Sequence, residues 1–281
     1  MTAECPSTVR EALAQAARLG LERLDAQLLL LHAMGRPVHD RAWLMAHDDA
    51  SIPPDGAQAF ADHVRRRLDG EPVAYLLGEK EFRGLSLQVD ARVLVPRPDT
   101  ETLVDWALAC LAGQPTAKAI DLGTGSGAIA LGLKHAMPQL QIQAVDASAD
   151  ALSVARANAQ RLGLEITFRQ ADWLAGAGLG HALIVSNPPY VAQDDPHLPA
   201  LRHEPLSALA AGPDGLDDIR RIVHDAPAHL APDGWLLLEH GHDQAGAVRA
   251  LLAARGFESV QSRTDLAGIE RCSGGSWPAV K

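Results

Sequence analysis

The chain has 281 residues, of which 47% are hydrophobic, so its length favours about two domains with ordinary apolar cores. Acidic residues outnumber basic ones by 35 to 25, which argues against a large nucleic-acid-binding surface, because such a surface usually carries a basic excess. The cysteines, Cys5, Cys110 and Cys272, form no C-x-x-C pair, and no apolar run is long enough to cross a bilayer, so we expect a cytoplasmic protein without a disulfide framework or a zinc site.

Residues 1–74 are predicted to form a small helical domain. Thr8 and Glu11 have the spacing of a capping box, which begins a helix whose apolar face is formed by Val9, Leu13, Ala16 and Leu19. Three further helices are predicted over residues 24–34, 39–47 and 55–69. Nothing in this region indicates catalysis, so we interpret it as a module for recognition or packing.

Residues 75–95 change to the period of a β-strand and are predicted to form a hairpin between the two domains. Its strands are expected at residues 85–89 and 93–95, on either side of a turn at Asp90. The hairpin would therefore bridge the helical module and the domain that follows it.

Residues 96–101, Pro-Arg-Pro-Asp-Thr-Glu, are predicted to form a rigid extended step into a helix over residues 100–111. Asp99 is the predicted N-cap of that helix. Arg97 and Glu101 are candidates for the active site, but their spacing alone favours a role in the scaffold.

From about residue 117, strands and helices alternate, which is typical of a mostly parallel sheet covered by helices on both faces. The strands are predicted at residues 119–121, 141–145, 166–168, 183–186 and 235–238. The helices are predicted at residues 128–134, 148–162, 216–230 and 243–255, and a terminal antiparallel pair at 257–261 and 269–272.

Four successive strands lead to a polar side chain, namely Asp121, Asp146, Asp172 and Asn187. Ligands of open parallel sheets bind at the carboxyl ends of the strands, so we expect these four side chains to line one crevice. The glycine-rich turn of residues 122–127 lets the backbone approach a ligand closely. A carboxylate at Asp146 suits a ribose diol, and the pair Asp172-Trp173 suits an adenine that is hydrogen-bonded and stacked.

The glycine turn alone does not identify the cofactor. Gly123, Gly125 and Ala128 also satisfy the looser dinucleotide-binding pattern, with Asp146 near the expected distance, so a nicotinamide cofactor is an alternative. The sequence Asn187-Pro-Pro-Tyr190 favours a different chemistry. Its prolines hold the strand end extended, which leaves the Asn187 amide oxygen and the Pro188 carbonyl free to grip an amino group beside the Tyr190 ring. A nucleoside cofactor with an amino-group clamp fits S-adenosylmethionine and methyl transfer to nitrogen.

Together, these motifs resemble the class I S-adenosylmethionine-dependent methyltransferases that carry an N-P-P-Y clamp. More narrowly, the chain resembles the HemK/PrmC family of release-factor glutamine methyltransferases. The narrower resemblance is carried by the helical domain and by residues 96–101, 204–205, 208–209, 212–216 and 238–241. It implies a Rossmann-like α/β domain with a mostly parallel seven-stranded sheet over residues 96–281, preceded by a helical domain (1–74) and a hairpin (75–95).

The resemblance also implies an activity. The enzyme would transfer a methyl group from S-adenosylmethionine to the side-chain amide nitrogen of the glutamine in the Gly-Gly-Gln motif of peptide chain release factors. The implied cofactor-binding residues are Asp121, Leu122, Gly123, Thr124, Gly125, Asp146, Asp172, Trp173 and Asn187. The implied substrate-binding residues are Asn187, Pro188, Pro189 and Tyr190, of which Asn187, Pro188 and Tyr190 would be catalytic. No metal is implied.

Several alternatives share this chemistry or its cofactor. The acceptor could be a glutamine of a ribosomal protein, or an exocyclic amine of adenine or guanine stacked on Tyr190. The acidic net charge of −10 counts against nucleic acid. A nucleoside-binding regulator without catalysis is a third alternative, against which the intact clamp argues. The roles of Glu204 and Asp214 stay open between scaffold and ligand contact, and His240 and His242 are interpreted as a surface pair at a strand end.

Overall fold

The computed structural model describes residues 6–279, so Cys5 and the last two residues of the tail lie outside the described part. Contacts divide the chain into two compact units, Met1–Gly78 and Glu79–Lys281. The predicted domain boundaries at residues 74/75 and 95/96 stay predictions. Each unit has its own apolar core.

The first unit is helical. Its described helices are α1 (Val9–Arg18), α2 (Arg23–Ala33), α3 (Arg41–Ala46), α4 (Pro54–Leu68) and α5 (Val73–Leu77). The capping box is present: the Thr8 hydroxyl accepts from the Glu11 N–H, and the Glu11 carboxylate accepts from the Thr8 N–H. Helix α5 was not predicted, because it is a single short turn between Pro72 and the left-handed Gly78.

The second unit begins with a hairpin of β1 (Glu79–Phe82) and β2 (Leu85–Gln88). Arg83 and Gly84 form its turn, and both have positive φ (50° and 77°), as a two-residue hairpin turn requires. The expected pairing of residues 85–89 with 93–95 is therefore wrong, since β2 pairs with the strand before it in the chain, β1. Residues 93–95 lie in no strand. Val93 and Val95 are buried and Leu94 is less so, and this alternation in burial resembles that of a strand.

The main sheet has seven strands. They are β3 (Lys118–Leu122), β4 (Gln141–Asp146), β5 (Thr167–Gln170), β6 (His181–Ser186), β7 (Leu230–Glu239), β8 (Glu258–Thr264) and β9 (Glu270–Ser276). Their spatial order is β5-β4-β3-β6-β7-β9-β8; the first five are parallel, and β9 runs antiparallel to both of its neighbours. The predicted fold, a mostly parallel seven-stranded sheet with helices, is confirmed.

Helices cover both faces of this sheet. They are α6 (Thr100–Cys110), α7 (Ala128–Ala136), α8 (Ala149–Leu162), α9 (Asp217–Asp225) and α10 (Ala245–Arg255). Along β6, Leu183 and Val185 belong to one buried cluster and Ile184 to the other, so successive side chains enter opposite cores. The predicted helix of residues 216–230 ends early, at Asp225, because Pro227 lies in a following 3-10 turn.

The topology positions the functional site. The chain moves outward from β3 through β4 to β5, then returns to the other side of β3 with β6. Strand order therefore reverses between β3 and β6, and the loops at their carboxyl ends diverge there. In open α/β sheets, this divergence creates the crevice in which ligands bind.

Candidate active site

A cavity of about 340 Å³ lies at the carboxyl ends of β3, β4 and β6, within the second unit. This volume falls in the range of small-molecule sites. Besides Asn187, six of the predicted cofactor residues line it: Gly123, Thr124, Gly125, Asp146, Asp172 and Trp173. Asn187 and Pro189 of the predicted clamp line it too.

The glycine turn forms one wall of the cavity. Gly123 and Gly125 have positive φ (67° and 54°), a conformation that favours glycine. A Cβ at Gly123 would lie 3.2 Å from the Trp173 ring, so the absence of a side chain lets the ring lie against the turn. A Cβ at Gly125 would meet no atom within 4 Å, so this stretch of backbone is open to a ligand.

Asp121 lies beneath the turn and not in the cavity. It is completely buried, and its Oδ2 accepts from the Thr124 hydroxyl (2.6 Å) and the Ala130 N–H (3.2 Å). Burial raises the pKa of this carboxyl to about 7. The expectation that all four polar strand ends line the crevice is thus met by three of them. Asp121 and Leu122 shape the turn from below.

Asp146, at the end of β4, does line the cavity. Its Oδ2 accepts from the Gly125 N–H and its Oδ1 from the Ser148 N–H, both at 2.9 Å. Burial raises the pKa of this carboxyl. Since a carboxylate has about four lone-pair positions, both oxygens keep capacity for ligand hydroxyls while the two backbone groups fix the carboxylate.

The pair Asp172-Trp173 is held by α9. Asp172 Oδ2 lies 2.6 Å from the Arg221 guanidinium, and the Trp173 indole N–H donates to Asp218 at 3.1 Å. Asp218 and Arg221 line the cavity as well, and the sequence analysis missed both. The charged residues at the start of α9 are visible in the sequence, but the sequence near them does not show that this helix faces the carboxyl ends of the strands.

The clamp follows β6 and is fixed by its backbone. The Tyr190 N–H donates to the Leu209 carbonyl at 3.1 Å, and its carbonyl accepts from the Gln244 side chain at 2.9 Å. Pro188 and Tyr190 do not line the cavity. The Tyr190 phenol is largely buried, which raises its pKa far above the usual value, so the phenol stays neutral.

The Asn187 side chain lies next to two residues that the sequence analysis did not assign to the site. Its Nδ2 donates to the Thr100 hydroxyl at 3.3 Å. Glu239, at the end of β7, lies beside the Asn187 strand end, because the preceding Leu238 pairs with Ser186. Glu239 is 1% exposed, and burial raises its pKa to about 7. Its position was the available signal, because it ends the strand that pairs with β6.

The residues whose roles were open form ion pairs within the protein. Arg97 lines the cavity and forms a 2.5 Å ion pair with the buried Glu204, whose other oxygen accepts from the Val95 N–H at 3.1 Å. This pair ties the segment before α6 to residues 205–208, three of which line the cavity. Asp214 lies outside it and pairs with Arg220 at 2.5 Å.

Three details differ from the sequence analysis or complete it. Asp99 is the N-cap residue of α6, as predicted, but its side chain makes no capping hydrogen bond. Glu101 accepts from the Arg83 N–H of the hairpin turn at 3.4 Å. His240 is buried and hydrogen-bonded to Ser273 at 2.7 Å, so only His242 is exposed as expected.

The described residues contain no group of three histidine, cysteine, aspartate or glutamate side chains that could hold a metal ion. Within the same residues, no helix has the length and apolar character needed to cross a membrane.

Comparison with known proteins gives consistent matches. Residues 7–78 match the PrmC N-terminal domain family and residues 102–203 the Methyltransferase small domain family. The chain is 49% identical to a release factor glutamine methyltransferase of Bordetella pertussis, over 91% of this chain and 95% of that protein. It is 50% identical to the one of Pseudomonas aeruginosa, over 91% and 92%. A methyltransferase structure from Pyrococcus furiosus shares the fold, with a TM-score of 0.54, 16% identity and coverage of 78% and 100%.

Proposed function

The chain belongs to the release factor glutamine methyltransferase family, and on this premise we propose that it methylates the glutamine of the Gly-Gly-Gln motif in peptide chain release factors, with S-adenosylmethionine as methyl donor. The full-length similarity to enzymes of that name supports the acceptor class. The arrangement around Asn187 is the structural observation that carries the proposal, because it presents a fixed amide at a cavity suited to a nucleoside.

The lining residues fit the cofactor. Gly125 offers open backbone, Asp146 offers two partly free acceptor oxygens for the ribose hydroxyls, and Trp173 offers an aromatic face beside Asp172 for the base. When bound, S-adenosylmethionine supplies an electrophilic methyl group on a sulfonium. The roles of this chain are to bind the nucleoside, to exclude water and to aim the acceptor nitrogen at that methyl.

Aiming matters because an amide nitrogen is a weak nucleophile, with its lone pair delocalised into the carbonyl. Asn187 Oδ1 and the Pro188 carbonyl would accept the two amide hydrogens of the substrate and favour a pyramidal nitrogen. In the described part of the chain, the Pro188 carbonyl accepts no backbone hydrogen bond. Positioning of this kind lowers a barrier by roughly 7–11 kcal/mol at best. Once methylated, the nitrogen is acidic enough to release its proton without a strong base.

The neutral Tyr190 ring completes the clamp. Its backbone is held by Leu209 and Gln244, and its ring packs against the apolar core of the second unit. We propose that the ring packs against the flat substrate amide and lies near the cationic methyl group.

The acceptor is identified by a competition among substrates. The enzyme is incubated with labelled S-adenosylmethionine and, in parallel, with release factors, ribosomal proteins and DNA, and the label is mapped by mass spectrometry. We expect label on the Gly-Gly-Gln glutamine and none on a release factor in which that glutamine is replaced. Label on a ribosomal-protein glutamine or on DNA adenine instead would reject the proposed acceptor.

A further inference from the structure

The Asn187 amide can aim a substrate only if its oxygen faces the cavity. A carboxamide has a donor end and an acceptor end of nearly the same shape, so a rotation of 180° about its last bond exchanges them. With the NH2 end toward the substrate, the clamp would repel the substrate NH2 group. Something in the protein must therefore distinguish the two ends.

The surroundings of Asn187 supply that distinction. Its Nδ2 is 3.3 Å from the Thr100 hydroxyl, at the first residue of α6. The Glu239 carboxyl is buried at the end of β7, and it lies beside the Asn187 strand end because the preceding Leu238 pairs with Ser186. If Thr100 donates its only hydroxyl hydrogen to Glu239, its oxygen can only accept from Asn187. Above about pH 7, Glu239 is ionised and has no hydrogen to give, so both neighbours then present acceptors to Asn187.

We propose that Thr100 and Glu239 are positioning residues that select the reactive orientation of the Asn187 amide. They hold its NH2 end against the protein and so turn its Oδ1 toward the substrate. The inference rests on the proposed function, in which Asn187 Oδ1 accepts from a substrate amide.

The burial of this group argues for such a role. Glu239 is 1% and Thr100 4% exposed, and Glu239 Oε2 is buried without a hydrogen-bond partner. An incompletely paired buried carboxyl is costly to the fold. Neither an apolar residue nor an amide at this position would impose one orientation on Asn187, because an amide can present either end. The carboxyl therefore has a use that offsets its cost.

The test compares variants that change only the acceptor character of this group. Thr100→Val removes the hydroxyl at nearly constant shape, and Thr100→Ser keeps it. Glu239→Gln replaces the carboxyl by an amide, which can present either its donor or its acceptor end to Asn187. Ser273→Ala is the matched control, because its buried hydroxyl on β9 bonds to His240 and Ser262 and not to Asn187.

Methylation kinetics give the first measurement. We expect Thr100→Val and Glu239→Gln to lower kcat by about tenfold to a hundredfold, the scale of a misplaced reactive group, with the dissociation constant of S-adenosylmethionine unchanged. Thr100→Ser should recover most of the loss, and Ser273→Ala should match the parent enzyme. In an Asn187→Ala background, Thr100→Val should cause no further loss, because it acts through Asn187. Additive losses, or unchanged kcat in both variants, would overturn the proposal.

A second measurement needs no substrate. The side-chain amide signal of Asn187, assigned by its absence in Asn187→Ala, is followed by ¹H–¹⁵N NMR. We expect slow hydrogen exchange in the parent enzyme and faster exchange in Thr100→Val and Glu239→Gln, but not in Ser273→Ala. If the parent enzyme shows this pattern yet methylates no release factor, the proposed function fails and the orientation of Asn187 stands. If exchange is the same in all of them, the orientation fails whatever the substrate.

Discussion

Asp146 is the residue on which cofactor affinity should depend most. Its carboxylate is fixed by the Gly125 and Ser148 N–H groups, and the residue lines the cavity. Charge-assisted hydrogen bonds contribute roughly 1.5–3 kcal/mol each. We therefore expect Asp146→Ala to weaken S-adenosylmethionine binding by about tenfold or more. Calorimetry on the folded variant measures this, and unchanged affinity would remove the assignment.

Arg97 also lines the cavity, but its guanidinium is engaged by Glu204. We expect Arg97→Ala to reduce cofactor affinity less than Asp146→Ala does. Its larger effect should be on stability, because Glu204 would stay buried with only the Val95 N–H as a partner. Calorimetry and thermal unfolding of the two variants separate these effects. A greater loss of affinity in Arg97→Ala would mean that this segment contacts the cofactor directly.

At the scale of the elements, the glycine turn and the loop after β5 are fitted to each other. Gly123 has a φ of 67°, and a Cβ there would lie 3.2 Å from the Trp173 ring. Gly123→Ala should therefore displace the ring and weaken cofactor binding. Gly163→Ala is the matched control, because Gly163 also has positive φ (65°) but no atom within 4 Å of the added Cβ. Equal cofactor affinity in the two variants would show that the contact with Trp173 is unimportant.

Which elements the sequence predicts depends on how local their cause is. The α1 capping box and the helix of residues 148–162 are predicted from signals within a few residues, and both are present. The predicted hairpin pairing was wrong. The alternation of apolar and polar residues at 85–95 indicates which side chains are buried, but it does not identify the partner strand. Asp99 has the right residue type for a cap, but its carboxylate lies instead 3.5 Å from Arg271 on β9.

The candidate site shows the same division. The sequence correctly predicted that Asp146, Asp172 and Asn187 lie near one another, because each follows a parallel strand and parallel strands end at the same edge of the sheet. Thr100, Glu239, Asp218 and Arg221 were missed, because each comes from a different element and is brought to the site only by tertiary packing. For Asp121 the sequence indicates the strand end, but it does not show that the side chain points beneath the turn.

At the scale of the whole molecule, two buried carboxyls link stability to pH. Burial raises the pKa values of Asp121 and Glu239 from 3.8 and 4.5 to about 7. The folded protein therefore binds these protons more tightly than the unfolded chain. Their contribution to stability is fully present below about pH 4 and is lost as the pH rises through 7.

Glu239→Gln isolates one of these contributions. The stability of this variant relative to the parent enzyme should increase from pH 5 to pH 8, because only the parent must ionise a buried carboxyl. Asp214→Asn is the control: Arg220 lowers the pKa of Asp214 to about 2, so its relative stability should stay level over this range. Urea unfolding at several pH values gives both differences. A level difference for Glu239→Gln would contradict the raised pKa.

The central claim is that Asn187 aims the acceptor nitrogen, and Asn187→Ala tests it most directly. The change removes one of two acceptors and leaves the glycine turn and Asp146 intact. The measurement is turnover on a release factor beside the dissociation constant of S-adenosylmethionine. We predict that methylation falls by about a hundredfold or more, as for loss of one preorganised hydrogen-bonding group, while cofactor affinity falls only modestly. Near-normal turnover, or methylated adenine in a DNA sample, would contradict the account.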